Sequence, residues 1–115
     1  MSVEITDPED KKILTLARAT RARVGAAQGA CVRDTDGRTY AAASVDLPSL
    51  RLSAVEVAVA MAVSSGSAGL EAVAVLSEAA EVSQADIAPI RDLGGPGVSV
   101  LLGSPDGSVR ERLTT

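Results

Sequence analysis

Histidine is absent from this sequence, and cysteine is present only as Cys31. These two residue types supply most zinc ligands, and histidine is the usual base that activates a catalytic serine or cysteine. A single cysteine also excludes an internal disulfide framework and fits a reducing compartment. We therefore expect Cys31 to be a small core residue rather than a reactive thiol.

Aromatic residues are nearly missing as well, since Tyr40 is the only one in 115 residues. The core must then consist of valine, leucine, isoleucine and alanine, and a hydrophobic content of 46% is enough for one such core. We expect a single domain over residues 1–115. Without aromatic side chains for base stacking, and with a net charge of -4, nucleic-acid binding is not expected.

Long apolar runs are absent too, because the longest is too short to cross a bilayer. The first ten residues lack the basic segment and the apolar segment of a secretion signal. We therefore expect a cytoplasmic protein that makes no membrane contact.

The segment from Leu52 to Gly66 contains the longest apolar stretch, and Glu56 is its only strongly polar residue between Ser53 and Ser64. Its length, its alanine content and its closing Ser-Ser-Gly favour a helix over a buried strand. A helix that is apolar on every side must be covered on every side, so we expect a central buried helix. Ser53 and Glu56 have the spacing of a capping box, which explains this glutamate structurally.

Other segments carry signals for helices, strands and turns. Asp7 and Pro8 are typical of the start of a helix, here an amphipathic one that extends to Val24. The Asp-Gly pair at 36–37 predicts a hairpin of strands 29–33 and 38–45, and strands are also predicted at 70–76 and 98–102. Residues 46–51, 94–97 and 108–115 are predicted to be a link, a loop and a polar tail.

A short helix is predicted between Ser83, its expected cap, and Asp92. Pro89 should disturb this helix unless it lies in the first turn. The order of all these elements predicts an α/β fold in which helices pack on a mixed sheet through right-handed crossovers. No internal repeat is present.

Four stretches together resemble the small cytidine deaminases, and they cover most of the chain. In that family, a Val-Gly-Ala-Ala strand ends in Asp-Gly-Arg, and the motif Asn-Val-Glu follows it. The central helix then begins with Cys-Ala-Glu or His-Ala-Glu. The next helix begins with Pro-Cys-x-x-Cys. The resemblance implies a cytidine deaminase-like three-layer α/β/α fold with a mixed five-stranded sheet and a central buried helix. The stretches are 29–38 (Gly-Ala-Cys-Val-Arg-Asp-Thr-Asp-Gly-Arg), 43–46 (Ala-Ser-Val-Asp), 53–66 and 70–75.

Most residues that carry the chemistry of that family are replaced here. Glu56 aligns with the proton-shuttling glutamate, which puts Ala54 at the position of the first zinc ligand. Residues 85–91, where the Cys-x-x-Cys pair is expected, contain no cysteine or histidine. Ser44 and Asp46 correspond to the asparagine and glutamate that hold the ribose. The resemblance therefore implies one catalytic position, Glu56, two substrate-binding positions, Ser44 and Asp46, and neither a metal nor another cofactor.

Composition weighs against zinc chemistry. Zinc-dependent deamination needs three Cys or His ligands, a metal-activated water and a glutamate, and a neighbouring subunit would add only another Cys31. Oxygen ligands could hold Mg²⁺ or Mn²⁺, although nothing in their spacing requires this. The loop at 94–97 lacks the lysine and the following helix of a phosphate-binding loop. The candidate oxygen ligands are Asp46, Glu56, Asp86 and Asp92.

Three functions remain open at this point. We predict a cytidine deaminase-like protein without the zinc site, inactive as a deaminase, that acts as a binding or assembly module through a nucleoside-sized pocket at the helix starts. The alternative from the enzyme class is a divergent hydrolase of a nucleoside or related amide, with Glu56 as general base. The third is a purely structural subunit that pairs with itself or with an active relative.

The expected partners are further copies of the chain and a nucleoside-like small molecule. The resemblance implies a homo-oligomer, because small cytidine deaminases of this length assemble as tetramers with their central helices at the subunit junctions. A dimer is the smaller alternative. The fully apolar helix also needs cover on all sides. The predicted hairpin, two strands and one amphipathic helix would cover only part of it, so a neighbouring subunit would complete its burial. Ala58, Ala60 and Ala62 would allow a neighbouring subunit to approach closely.

Overall fold

The computed structural model describes residues 2–115, which contain three helices and seven strands. Strand β5 has the bounds predicted from the sequence, and the predicted hairpin, helices and strand near residue 100 are also present. The helices are α1 (Pro8–Val24), α2 (Ala54–Ser64) and α3 (Gln84–Gly94), and the strands are β1 (Gly29–Asp34), β2 (Thr39–Ala43), β3 (Val45–Leu47), β4 (Leu50–Leu52), β5 (Leu70–Leu76), β6 (Ser99–Gly103) and β7 (Val109–Thr114).

Five strands form one sheet in the order β2-β1-β5-β6-β7. The pair β5 and β6 is parallel, whereas the other three pairs are antiparallel. One face of the sheet packs against α1, and the other face packs against α2 and α3. The α/β fold with a mixed five-stranded sheet and a three-layer arrangement is therefore confirmed.

Local capping sets both ends of the first helix, and its start is the one predicted from the sequence. The Asp7 side chain accepts a hydrogen bond from the backbone amide of Glu9 at 2.8 Å, and Pro8 occupies the first turn. At the other end, Gly25 adopts a left-handed conformation with φ of 72°, which glycine tolerates without a steric penalty.

The helix α2 packs against the sheet and against α3. Its sheet-facing residues are buried, among them Ala58 and Ala62, which lie against the strands. On its outer side, Ala60 is exposed, and Met61 and Val63 are 38% and 54% exposed in the single chain. The helix is thus buried on its sheet side, and one apolar side of it lacks cover within the described chain.

Two segments differ from the sequence prediction. The predicted link at 46–51 belongs to a small hairpin, in which β3 and β4 pair only with each other. Each strand has three residues, which is too short for a period to be recognised. The predicted polar tail is β7, an edge strand whose charged residues Arg110, Glu111 and Arg112 conceal its character. Charges on an edge strand discourage pairing with other chains.

The prediction that Pro89 would disturb its helix was wrong. Helix α3 continues from Gln84 to Gly94 with Pro89 as an interior residue. Proline cannot donate a hydrogen bond to the carbonyl four residues earlier, which is that of Ala85. Because Ala85 is exposed, water can satisfy this carbonyl and the helix remains continuous.

No helix within residues 2–115 combines the length and the apolar character that crossing a membrane requires.

Candidate functional site

The starts of α2 and α3 meet at one end of their layer. The Ser53 hydroxyl donates a hydrogen bond to Oδ1 of Asp86 at 2.5 Å. Ser53 is the N-cap of α2, and Asp86 lies in the first turn of α3, whose N-cap is Ser83. The Ser83 side chain accepts a hydrogen bond from the Asp86 amide at 3.2 Å, so its predicted capping role is confirmed. The Asp86 carboxylate therefore links the starts of the two helices.

The predicted capping box at the start of α2 is confirmed. The Ser53 hydroxyl oxygen accepts a hydrogen bond from the Glu56 amide at 3.1 Å, and Oε1 of Glu56 accepts one from the Ser53 amide at 2.8 Å. The Ser53 hydroxyl thus accepts within its own helix and donates to the neighbouring one. Glu56 is half-buried, so its carboxylate borders both the cap and the solvent.

Gln28 is a site residue that the sequence reasoning missed. Its side-chain oxygen accepts a hydrogen bond from the Ala54 amide at 3.2 Å and so occupies a further donor at the start of α2. The backbone of Gln28 is joined to Ser44 by two hydrogen bonds of 3.1 Å, one of them to the Ser44 hydroxyl. The only signal available was a polar residue directly before strand β1. Ser44 therefore supports Gln28 beside the site.

Asp46, the other residue aligned with sugar binding, lies on the β3–β4 hairpin. Its Oδ1 is 3.3 Å from Nε of Arg51, and the two side chains are 89% and 76% exposed. Asp92 lies on the later half of α3 and lines a groove there. Within residues 2–115, no group of three or more His, Cys, Asp or Glu side chains is arranged to hold a metal ion.

Asp86 has an unusual electrostatic environment for a carboxylate. Burial raises its pKa, the hydrogen bond from Ser53 opposes that change, and the negative charge of Glu56 raises the pKa further. Together these effects raise the pKa of Asp86 above its ordinary value. Asp86 therefore binds a proton more readily than a free aspartate, next to a second carboxylate.

Two open surface cavities lie away from the residues at the helix starts. The larger has a volume of about 380 Å³ and lies between α2 and α3, lined by Val59, Val63, Pro89, Asp92 and Leu93. The smaller, of about 150 Å³, lies beside α1 and is lined by Leu14, Thr15, Arg18, Asp106 and Gly107. At the starts of α2 and α3, the polar groups face one another instead.

Comparisons with known proteins agree on one family. A family model described as cytidine deaminase-like matches residues 6–107. Among solved structures, the cytidine deaminase from Burkholderia pseudomallei is 23% identical, with a TM-score of 0.78 and 90% of each chain covered. The cytidine deaminase from Mycobacterium leprae is 20% identical, with a TM-score of 0.74 and 94% of each chain covered. At these identities the likeness concerns the fold.

A third structure, the cytidine deaminase from Mycobacterium tuberculosis, is 22% identical with a TM-score of 0.70. That match covers 82% of this chain and 85% of the other. No curated protein matches this chain.

The residues at the helix starts do not fit the zinc ion that zinc-dependent deamination needs. Such a site needs three Cys or His ligands, whereas Ser53, Ser83 and Asp86 offer hydroxyl and carboxylate oxygens that are bonded to one another or to helix amides. Cys31 is fully buried in the apolar layer on the α1 side of the sheet, which is the opposite face. Burial raises the pKa of its thiol to about 12, and its predicted core role is confirmed.

Proposed function

Since this chain belongs to the cytidine deaminase-like family, we propose that it serves as a binding or assembly module and does not carry out zinc-dependent deamination. The 2.5 Å hydrogen bond between Ser53 and Asp86 is the observation that carries this proposal. It ties together the two helix starts where the family places its zinc ligands. The resemblance predicts the position of the family's Cys-x-x-Cys pair within residues 85–91, but α3 starts directly after Ser83, so we place the pair at Ser83 and Asp86. These two residues have the same i, i+3 spacing and offer oxygen in place of sulfur.

Metal content and activity test this proposal together. We expect the purified protein to contain far less than one zinc per chain by elemental analysis and to release no uridine from cytidine. A matched control replaces the aligned residues with thiols, as Ala54→Cys, Ser83→Cys and Asp86→Cys in one chain. This variant should take up zinc if these positions match the family's ligand positions. Zinc near one equivalent in the unmodified protein, or deamination by it, would overturn the proposal.

A hydrolase of a nucleoside or related amide is the second candidate. Its support is the proximity of two carboxylates, because the charge of Glu56 raises the pKa of Asp86. Paired carboxylates with different proton affinities can divide the roles of general acid and general base. In this reaction Glu56 would take a proton from a water molecule as the water oxygen bonds to the substrate carbon. Asp86, in its protonated form, would give its proton to the leaving group as the bond between that group and the carbon breaks.

The hydrolase is tested with a panel of nucleosides and amides across pH. We expect any activity to fall by at least about 10²-fold in Glu56→Gln, as for the loss of a general base. Asp92→Asn serves as a control, since Asp92 lies away from the helix starts. Activity that survives in Glu56→Gln would exclude Glu56 as the base.

The assembly part of the proposal is supported by the outer side of α2. Ala60, Met61 and Val63 are exposed there, next to the apolar residues of the larger cavity. An apolar surface of this kind is typical of interaction sites. We propose that further copies of the chain cover it, in a dimer or a tetramer.

The proposal also includes a single domain, a cytoplasmic location and a small-molecule ligand. One domain over residues 1–115 is supported by the two apolar layers that share a single sheet. A cytoplasmic location is supported by Cys31, a free and buried thiol that fits a reducing compartment. We also propose that the protein binds a nucleoside-like small molecule. A thermal-shift screen of nucleosides would detect this binding as a rise in melting temperature.

A further inference from the structure

Most of the exposed large hydrophobic side chains in residues 2–115 are concentrated on two surfaces. The first is the hairpin tip, the turn 47–50 between β3 and β4, where Leu47 and Leu50 are 54% and 47% exposed. The second is the outer side of α2, where Met61 and Val63 are exposed. Val24 on α1 is the only other one in this part of the chain. Four of five such side chains therefore belong to two features.

The outer side of α2 borders the larger cavity, which we name the helix groove. It is lined by Val59, Val63, Pro89, Asp92 and Leu93 and has a volume of about 380 Å³. Four of these residues are apolar, and Asp92 is the one charged residue among them. The groove therefore suits a small apolar insertion that carries a positive charge at its edge.

The hairpin tip supplies the exposed apolar side chains, and Arg51 directly after it supplies the positive charge. Its strands pair only with each other, so the hairpin is not part of the main sheet. Arg51 lies next to Leu50 and forms an ion pair with Asp46 at 3.3 Å, with both side chains largely exposed. Exposed ion pairs contribute little to stability, so Arg51 can exchange its partner at small cost.

We propose that the hairpin tip of one copy docks in the helix groove of a second copy, with Leu47 and Leu50 on the apolar lining and Arg51 paired with Asp92. The inference rests on the self-assembly part of the proposed function and names its contact surfaces. A second copy is the favoured occupant because this chain itself carries both complementary surfaces, matched in apolar character and in charge. Both surfaces are exposed in the single chain, so both are available to a second copy. Reciprocal exchange of this kind would close a two-fold dimer.

Disulfide trapping tests the contact directly. Leu50→Cys protein is mixed with Val63→Cys protein under mild oxidation, because a disulfide forms only where the two Cα atoms lie within about 7 Å. Cys31 is buried with a raised pKa and should stay unreactive. We expect a crosslinked dimer from this mixture. The control mixture, Leu50→Cys with Val24→Cys, should give none, because Val24 lies on α1 at the other side of the sheet. Equal yields in both mixtures, or none in either, would overturn the docking.

Charge reversal tests the ionic part. Arg51→Asp and Asp92→Arg should each weaken self-association about tenfold, since each places like charges together, and the double variant should recover most of the affinity. Sedimentation equilibrium measures the association, and thermal melts confirm that each variant folds. If neither charge reversal changes the strength of self-association, the docking is overturned but self-assembly is not. A wild-type protein that stays monomeric at all concentrations overturns both the docking and self-assembly. A protein that stays monomeric while a small molecule occupies the helix groove overturns both as well.

Discussion

Ser53 joins two helices through a single side chain. Its hydroxyl accepts a hydrogen bond from the Glu56 amide and donates one to Asp86. The capping half of this arrangement depends on residues three positions apart and was predicted from the sequence. The other half depends on Asp86, which is distant in the chain, so no local pattern indicates it.

Capping predicts the effect of replacing Glu56. Glu56→Gln should leave the free energy of unfolding almost unchanged, because a glutamine oxygen can accept the same hydrogen bond from the Ser53 amide. Glu56→Ala should cost about 0.5 to 2 kcal/mol, as for the loss of a helix cap. Urea unfolding measures both values.

Because the Asp86 carboxylate lies nearby, the same Glu56 substitutions must also be measured in a protein that lacks the Asp86 charge. Removing the Glu56 charge also removes its repulsion of Asp86, and we expect this effect alone to raise the melting temperature slightly. Repeating both substitutions in Asp86→Asn protein separates the two effects. A melting temperature that rises for Glu56→Gln in that background too would contradict the capping role, because it would indicate a buried charge without a partner.

Asp86 predicts a dependence of stability on pH. Its pKa is raised in the folded state, so its contribution is most favourable below its unfolded pKa and is lost as the pH rises through the folded value. Asp86→Asn keeps an oxygen for the Ser53 hydroxyl without the buried charge. We therefore expect this variant to be at least as stable as the wild type at pH 7, with an advantage that shrinks in acid.

Melting temperatures between pH 3 and pH 8 check this expectation. Glu111→Gln is the matched control, because Glu111 is an exposed carboxylate on β7, away from the helix starts and from the proposed contact. It should show little change in its pH profile relative to the wild type. An Asp86→Asn protein that melts below the wild type throughout the neutral range would contradict the prediction.

Among the elements, the β1–β2 hairpin shows how one buried carboxylate organises a turn. Asp34 is fully buried and accepts hydrogen bonds from the amides of Asp36 and Arg38 at 3.0 and 2.9 Å. The Ser67 hydroxyl, from the loop after α2, donates to its other oxygen at 2.6 Å. This hydrogen bond is the main reason why the pKa of Asp34 is lowered. The turn predicted from Asp-Gly is therefore also tied to the helix layer.

The packing of α1 on the sheet depends on a glycine at the start of β1. A Cβ on Gly29 would collide with the backbone oxygen of Ala17 and lie 2.7 Å from Cβ of Arg21. We expect Gly29→Ala to destabilise the protein by about 1 to 3 kcal/mol, as for an overpacked core, because helix α1 must move away. Chemical denaturation measures the loss.

Gly25→Asn is the control for this prediction. Gly25 has a positive φ but no atom within 4 Å of an added Cβ, and asparagine tolerates that conformation better than most residues. It should cost much less than Gly29→Ala. Equal losses at the two positions would show that crowding against α1 is not the cause.

The whole molecule is expected to self-associate. Light scattering after gel filtration should give a mass above that of one chain at micromolar concentration. Val63→Glu should lower that mass, because it places a charge on the apolar outer side of α2, whereas Val24→Glu on α1 should not. A stable monomer for the wild type would contradict the assembly part of the proposed function, although not the separate proposal that the protein does not carry out zinc-dependent deamination.

The sequence by itself determined the features that depend on neighbouring residues. The caps at Asp7, Ser53 and Ser83, the bounds of β5 and the Asp-Gly turn follow from local hydrogen bonding and from hydrophobic periods, which a short window contains. The absence of histidine and the single cysteine likewise limited the chemistry before any fold was known.

Only the tertiary structure decided which distant residues meet. Ser53 and Asp86 are 33 positions apart, and Gln28 lies 26 positions before the Ala54 amide that it contacts. These contacts depend on the order in which the strands pair, with β5 between β1 and β6, and that order places both helix starts at one end of a single layer. It also puts Cys31 on the opposite face and gives the charged segment after residue 108 a strand partner in β6. Because pairing between distant strands depends on the packing of the whole chain, no local pattern encodes it.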